Sequence, residues 1–270
     1  MNKVKLDAHR GYSAKFPENT MLAFREALKL DIDMVEMDVH MTSDGEIVLM
    51  HDHKALRTAG VDEWIYNMTK SEFMKLDAGA WKGEQFRGTP PASFDEFLEL
   101  MATRKDLEIC LELKDYPSVC GDRAYESADK TIDMVIKAGL EKNVIINSFS
   151  GEILRHVDDK YDGFFPLHGY YPPSYLGEGW DESCYDSFKN LKAVCLFNKT
   201  GDLDDEGGSY PVVAKKYFDM LKSKGIDPWV YYRDDLFEYV EKAVSYGAVA
   251  VTSNDPVLAA EFLRKLGVRD

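Results

Sequence analysis

The 270-residue sequence predicts an α/β fold, a TIM-type (β/α)8 barrel carrying a β-hairpin and an insertion near its substrate mouth. Three observations predict it. Short apolar runs alternate with longer amphipathic segments along the chain, the rhythm of βαβ units. The runs number nine, one more than the barrel needs. One of the nine is joined to its predecessor by a link too short for a parallel crossover.

In order, the strand-like runs are 3–8, 34–39, 46–51, 107–114, 143–149, 163–168, 192–198, 228–232 and 248–253. Segments 19–30, 93–104, 131–139, 217–225 and 236–247 carry apolar residues at helical spacing, and glycine follows several of them. The first of these starts at Pro17-Glu18-Asn19-Thr20, where Asn19 or Thr20 caps a helix and the motif is mostly structural. The run at 46–51 is the spare strand, because Asp44-Gly45 is tight-turn chemistry and only MTSDG precedes it. Its antiparallel return brings His51 back toward Glu36. Residues 52–92, rich in aromatics and glycine without sustained periodicity, read as an insertion shaping the mouth. The stretch 169–190, with GYYPPSYLGEGW, either lines a pocket or covers the barrel. No repeat or low-complexity linker divides the chain, so one domain over residues 1–270 is expected.

A hydrophobic content of 45% is ample for a buried core. The four cysteines form no CxxC pair, and Cys110 and Cys195 lie in apolar runs where buried free thiols are expected. A net charge of −15 argues against nucleic acid as a partner. It also requires a local cation if the ligand is an anion. No apolar run reaches the roughly 20 residues of a membrane span. The sequence as written enters a strand at once with no signal peptide before it, which predicts a cytoplasmic protein unless a leader was removed. The acidic stretch Asp202–Gly207 lacks the glutamate a calcium loop needs at its twelfth position, Val213, and reads as a solvated loop.

His9, Glu36, Asp38, His51 and Glu112 supply two imidazoles and three carboxylates from separate strand-like segments. That is the parts list for metal-assisted cleavage of a phosphate ester. Glu36 and Asp38 alternate onto one strand face and must point into the barrel, since facing the helices would bury them unpaired. Two carboxylates so close need a cation, and oxygen donors favour Mg2+ or Ca2+. Glu112 and Lys114 share a face in the same way, either serving this site or forming a buried ion pair. Glu108 is on that face too, deeper in the expected core. His9 and Arg10 fall at a strand's carboxyl end, where barrels build active sites. Arg10 offers a planar fork to phosphate oxygens, and Gly11 permits close backbone approach. His51 and His53 compete for the second imidazole. His40, His156 and His168 have no local partner of catalytic kind, although His168 ends a strand within reach of a substrate.

These residues stand in six ordered runs: His9-Arg10-Gly11, Pro17-Glu18-Asn19-Thr20, Glu36-Met37-Asp38, Thr42-Ser43-Asp44-Gly45, His51-Asp52 and Glu112-Leu113-Lys114. Together they resemble the signature of the glycerophosphodiester phosphodiesterase family, with weaker echoes at 146–150 and 252–256. The resemblance implies metal binding by Glu36, Asp38 and Glu112, acid and base roles for His9 and His51, and phosphate contacts from Arg10 and Lys114. It selects His51 over His53, which is left as an exposed rim residue, and makes Phe149 a candidate for apolar lining of the substrate site. It implies a small-molecule glycerophosphodiester substrate, one divalent cation, and sn-glycerol 3-phosphate plus an alcohol as products. Where relatives carry Trp-Thr-Val-Asn, this chain has Trp229-Val230-Tyr231-Tyr232-Arg233-Asp234, which alters the wall facing the alcohol. Two rival readings are an enzyme acting on lysolipids or sphingolipids, and a silent barrel sensing a polyol phosphate; the second is disfavoured by the presence of both histidines.

Overall fold

The computed structural model of the chain describes residues 3–172, 179–197, 212–232 and 236–270. Ten strands lie in one sheet: β1 Lys5–Ala8, β2 Met34–Met41, β3 Ile47–Leu49, β4 Ala92–Ser93, β5 Glu108–Leu113, β6 Val144–Asn147, β7 Leu167–Tyr171, β8 Leu191–Leu196, β9 Asp227–Tyr232 and β10 Ala250–Ser253. Eight of them close a parallel barrel in the order β1-β2-β5-β6-β7-β8-β9-β10. β1 seals it, pairing with β10 on one side and β2 on the other. The barrel expected from the alternation of runs is therefore present.

The hairpin is present as well. β3 returns antiparallel along β2, Val39 opposite Leu49, through a turn in which Gly45 takes a φ of +79°. The two-residue strand β4 adds to β3 and completes a small antiparallel flap that the sequence did not reveal. Between β3 and β4 the insertion winds into short helices around its own cluster of Val48, Met50, Ala55, Ile65, Met68 and Phe73. β7 starts later than its predicted run of 163–168. Gly163 has φ +69°, Phe164 is 55% exposed, and Pro166 has no amide to give a ladder, so pairing begins at Leu167.

Strand alternation produces two apolar shells. Leu6, Val35, Met37, Val39, Ile109 and Leu111 face outward under the helices, while Met34, Cys110, Ile145, Tyr170, Cys195 and Trp229 fill the barrel. Cys110 and Cys195 are free and buried, as expected. The described part of 169–190 covers the barrel: Trp180 lies against Gly169, and the Tyr185 hydroxyl donates to the Tyr170 carbonyl at 2.8 Å. The predicted solvated loop at 202–207 lies outside the described residues. Among the described residues no helix is long and apolar enough to cross a membrane.

Candidate active site

The side chains predicted to act together do converge, at the carboxyl ends of β1, β2 and β5. Helix Met21–Ala27 is capped by Thr20, whose hydroxyl accepts from the Ala23 amide. This fixes the preceding turn under the site. Gly11 has φ +77°, and a Cβ there would stand 2.7 Å from the Ala23 carbonyl carbon, so the backbone after His9 can turn over this helix only with glycine.

Glu36, Asp38 and Glu112 are buried, and one oxygen from each falls within 4.8 Å of the others. The Arg10 amide donates to Glu36 Oε2 at 2.9 Å, and Asn19 Nδ2 donates to Asp38 Oδ2 at 2.7 Å. Of their remaining oxygens, Glu36 Oε1 is buried with no polar partner, while Asp38 Oδ1 and Glu112 Oε1 have the Lys114 ammonium as their neighbour. The Lys114 ammonium lies in ion-pair contact with Glu112 Oε1 and 3.3 Å from Asp38 Oδ1. Burial, and then the neighbouring Asp38, push the Glu36 carboxyl well above its usual range. Burial raises Glu112 too, against the pull of Lys114. Asp38 goes the other way: burial opposes its ionisation, but Lys114 and Arg10 hold it well below the usual carboxylate range. Three crowded carboxylates, one with an orphaned oxygen, and in conflicting ionisation fit a hard divalent cation.

The two histidines are each oriented by an oxygen. His9 Nδ1 lies 2.6 Å from Asn254 Oδ1, and its ring packs edge-on against Tyr231 at 4.7 Å. That leaves Nε2 toward the carboxylates, 3.8 Å from Glu36 Oε2. Burial and the adjacent Arg10 charge lower the His9 imidazole well below its ordinary value. His51 Nδ1 is bound to Asp52 Oδ1 at 2.6 Å. Although burial opposes it, contact with His51 and Arg57 holds Asp52 far below the carboxylate range. The Met50 amide donates to the Asp38 carbonyl at 3.2 Å, which keeps His51 level with the carboxylates.

Arg10 is positioned by Glu18, 2.8 Å from Nη1, and lies 3.2 Å from Asp38. Glu18 also receives Arg57, which in turn binds Asp52. An ionic chain thus runs Arg10–Glu18–Arg57–Asp52–His51. Phe149 stacks on Tyr170 at 4.0 Å, with the Lys114 ammonium 5.2 Å from its ring centre. Of the altered segment, Trp229 fills the barrel and Tyr231 braces His9, whereas Arg233 and Asp234 lie outside the described residues.

Several expectations need correction. His53 is half-buried between the rings of His40, Trp64 and Tyr116, so it is no free rim residue; burial and the nearby His40 depress it to about 4. His40 does have a partner of catalytic kind, with Nδ1 2.7 Å from Asp115 Oδ1. His156 pairs with Asp129 at 2.8 Å. His168 is enclosed inside β7 beside Cys110, with burial lowering it to about 3, and does not face the mouth. Glu108 is not deep in the core but half-exposed at the opposite barrel end, bound to Lys5 at 2.6 Å. Sequence reading missed Asn254, Glu18, Asn19 and Asp52 as supports. The Pro17–Thr20 run, the His51-Asp52 pair and the TSNDP segment were the signs of them.

The comparisons agree with the geometry. A model of the glycerophosphoryl diester phosphodiesterase family matches residues 9–258. A glycerophosphodiester phosphodiesterase of Caldanaerobacter subterraneus subsp. tengcongensis is 36% identical over 159 residues, 57% of this chain and 62% of that protein. One from Bacillus subtilis is 33% identical over 165 residues, 58% of this chain and 56% of that protein. The matched region thus spans less than two thirds of either relative. Among solved structures, an Oleispira antarctica phosphodiesterase in complex with the product sn-glycerol-3-phosphate superposes with TM-score 0.80 at 20% identity, covering 97% of each chain. A glycerophosphodiester phosphodiesterase from Agrobacterium tumefaciens gives 0.73 at 22%, covering 94% of this chain and 98% of that one. At such identities the superpositions establish the barrel alone. Joined to a family match running from His9 past the last barrel strand, they leave one assignment: the chain belongs to the glycerophosphoryl diester phosphodiesterase family.

Proposed function

We propose that this protein hydrolyses glycerophosphodiesters to sn-glycerol 3-phosphate and an alcohol, using one divalent cation, Mg2+ or Ca2+, held by Glu36, Asp38 and Glu112. The observation that carries the reading is the convergence of three buried carboxylates, one oxygen of each within 4.8 Å of the others, with Glu36 Oε1 left without a partner. The family of the chain and the product named for the Oleispira antarctica neighbour support the substrate class. When bound, the cation supplies Lewis-acid polarisation of a phosphoryl oxygen.

The chain's own groups divide the remaining work. Asn254 accepts the Nδ1 proton of His9, so Nε2 presents a lone pair, and burial keeps the ring neutral. His9 is accordingly the base that takes a proton from the nucleophile. Asp52 stays ionised against His51 Nδ1 and so turns Nε2 outward, which makes His51 the acid that protonates the departing alkoxide. Arg10 and Lys114 meet the phosphate oxygens as charge builds on them. Phe149 contributes an apolar wall next to Lys114.

The test is release of glycerol 3-phosphate from glycerophosphocholine and glycerophosphoethanolamine, with chelator and with each cation restored. Metal-dependent turnover that falls by about 10²–10⁴ in both His9→Ala and His51→Ala is expected. Folded protein without turnover under any cation would refute the substrate class.

A further inference from the structure

A second cluster of ligating side chains lies beside the first. His40 at the end of β2, His53 after β3 and Asp115 after β5 each offer a donor atom, all within 4.8 Å of one another. None belongs to the motif runs that carry the family likeness. The environment is built rather than incidental. His40 and Asp115 are 1% and 6% exposed, and the Met41 amide fixes Asp115 Oδ2 at 2.8 Å. The His53 ring is held 5.2 Å from that of His40 and 5.1 Å from that of Tyr116.

A buried His–Asp pair would by itself need only two of these three residues. His40 Nδ1 faces Asp115 Oδ1 at 2.7 Å and is the ring nitrogen placed to share an ion with that carboxylate, while the His53 ring closes the third side. Two imidazoles and a carboxylate are the protein ligands of an open zinc-type site, with the fourth position free for water. The all-oxygen set of Glu36, Asp38 and Glu112 selects hard cations, whereas imidazole donors select zinc and its transition-metal neighbours.

We propose that His40, His53 and Asp115 form a second metal site, specific for a zinc-class divalent ion and distinct from the carboxylate site. Its donors come from three chain segments, and His51 lies two residues before His53. An ion here would cross-link the hairpin, the start of the insertion and the loop after β5, restraining the segment that carries His51.

Co2+ is the probe, read by visible absorption and equilibrium dialysis in saturating Mg2+, so the outcome is independent of any turnover. Wild type should take up about one equivalent of Mg2+-resistant Co2+ with nitrogen-ligand bands. Glu112→Gln, which damages the carboxylate site, should retain it. His53→Ala, at a half-buried ring, should weaken it at least about tenfold while the far-ultraviolet circular dichroism stays that of wild type, as should His40→Gln. Absence of Mg2+-resistant Co2+ in wild type, or unchanged uptake in His53→Ala, overturns the proposal.

Discussion

Asp7 is enclosed in the barrel below His9, its Oδ2 accepting from Thr252 Oγ1 at 2.9 Å and its Oδ1 without a partner. Burial pushes its carboxyl up from 3.8 to about 7, against the Thr252 hydrogen bond and with a smaller push from Glu108. In the unfolded chain the group ionises at its ordinary value. Between 3.8 and about 7 the folded protein therefore holds a proton that the unfolded chain has released, and stability falls as pH rises through that window. At ~1.4 kcal/mol per pH unit the loss is about 4 kcal/mol, complete above pH 7 and absent below 3.8. Asp7→Asn cannot ionise and keeps an oxygen for Thr252. Urea unfolding of both proteins across this range should show the variant's advantage growing from near zero at the acid end to about 4 kcal/mol above neutrality. A difference that stays flat with pH would refute the burial argument, and a variant less stable than wild type at neutral pH would refute it more severely.

Asn19→Ala removes both bonds to Asp38, the Nδ2 donation at 2.7 Å and the acceptance from its amide at 3.3 Å; urea unfolding should show a loss of about 2 kcal/mol, and calorimetry weaker Mg2+ binding. Gly11→Ala forces a Cβ to 2.7 Å from the Ala23 carbonyl carbon at φ +77°, and should lower stability by about 1–3 kcal/mol, read as a fall in thermal midpoint of several degrees. Adding Mg2+ at about a hundred times its dissociation constant should stabilise the protein by ~2.7 kcal/mol in a thermal melt. Chelator should reverse that gain, and Glu112→Gln should abolish it.

The barrel was legible because alternation and segment length act locally, and the hairpin because Asp44-Gly45 sets the direction of the chain over a few residues. β4 was not legible, since two residues carry no period and their pairing with β3 depends on where the insertion ends. The register of β7 failed for a related reason: an apolar run does not say which of its residues finds a neighbour, and Pro166 decides it. The acidic and imidazole residues stood out because few side chains can do their chemistry. Their supports did not. Asn254 is 245 residues from His9, and the TSNDP run that marks it does not say which side chain it meets. His40 and Asp115 were overlooked because partners 75 residues apart meet only when β2 pairs with β5.

Glu18 receives both Arg10 and Arg57, and Arg57 reaches Asp52 behind His51. His51 is thereby tied to Arg10 through a residue of the insertion, not only through the barrel. Anyone seeking a new alcohol preference by exchanging 52–92 for a foreign loop would remove a tie rod as well as a wall. A graft that keeps Asp52 and Arg57 at its root leaves that linkage intact, and the remainder of the loop becomes free material for redesign.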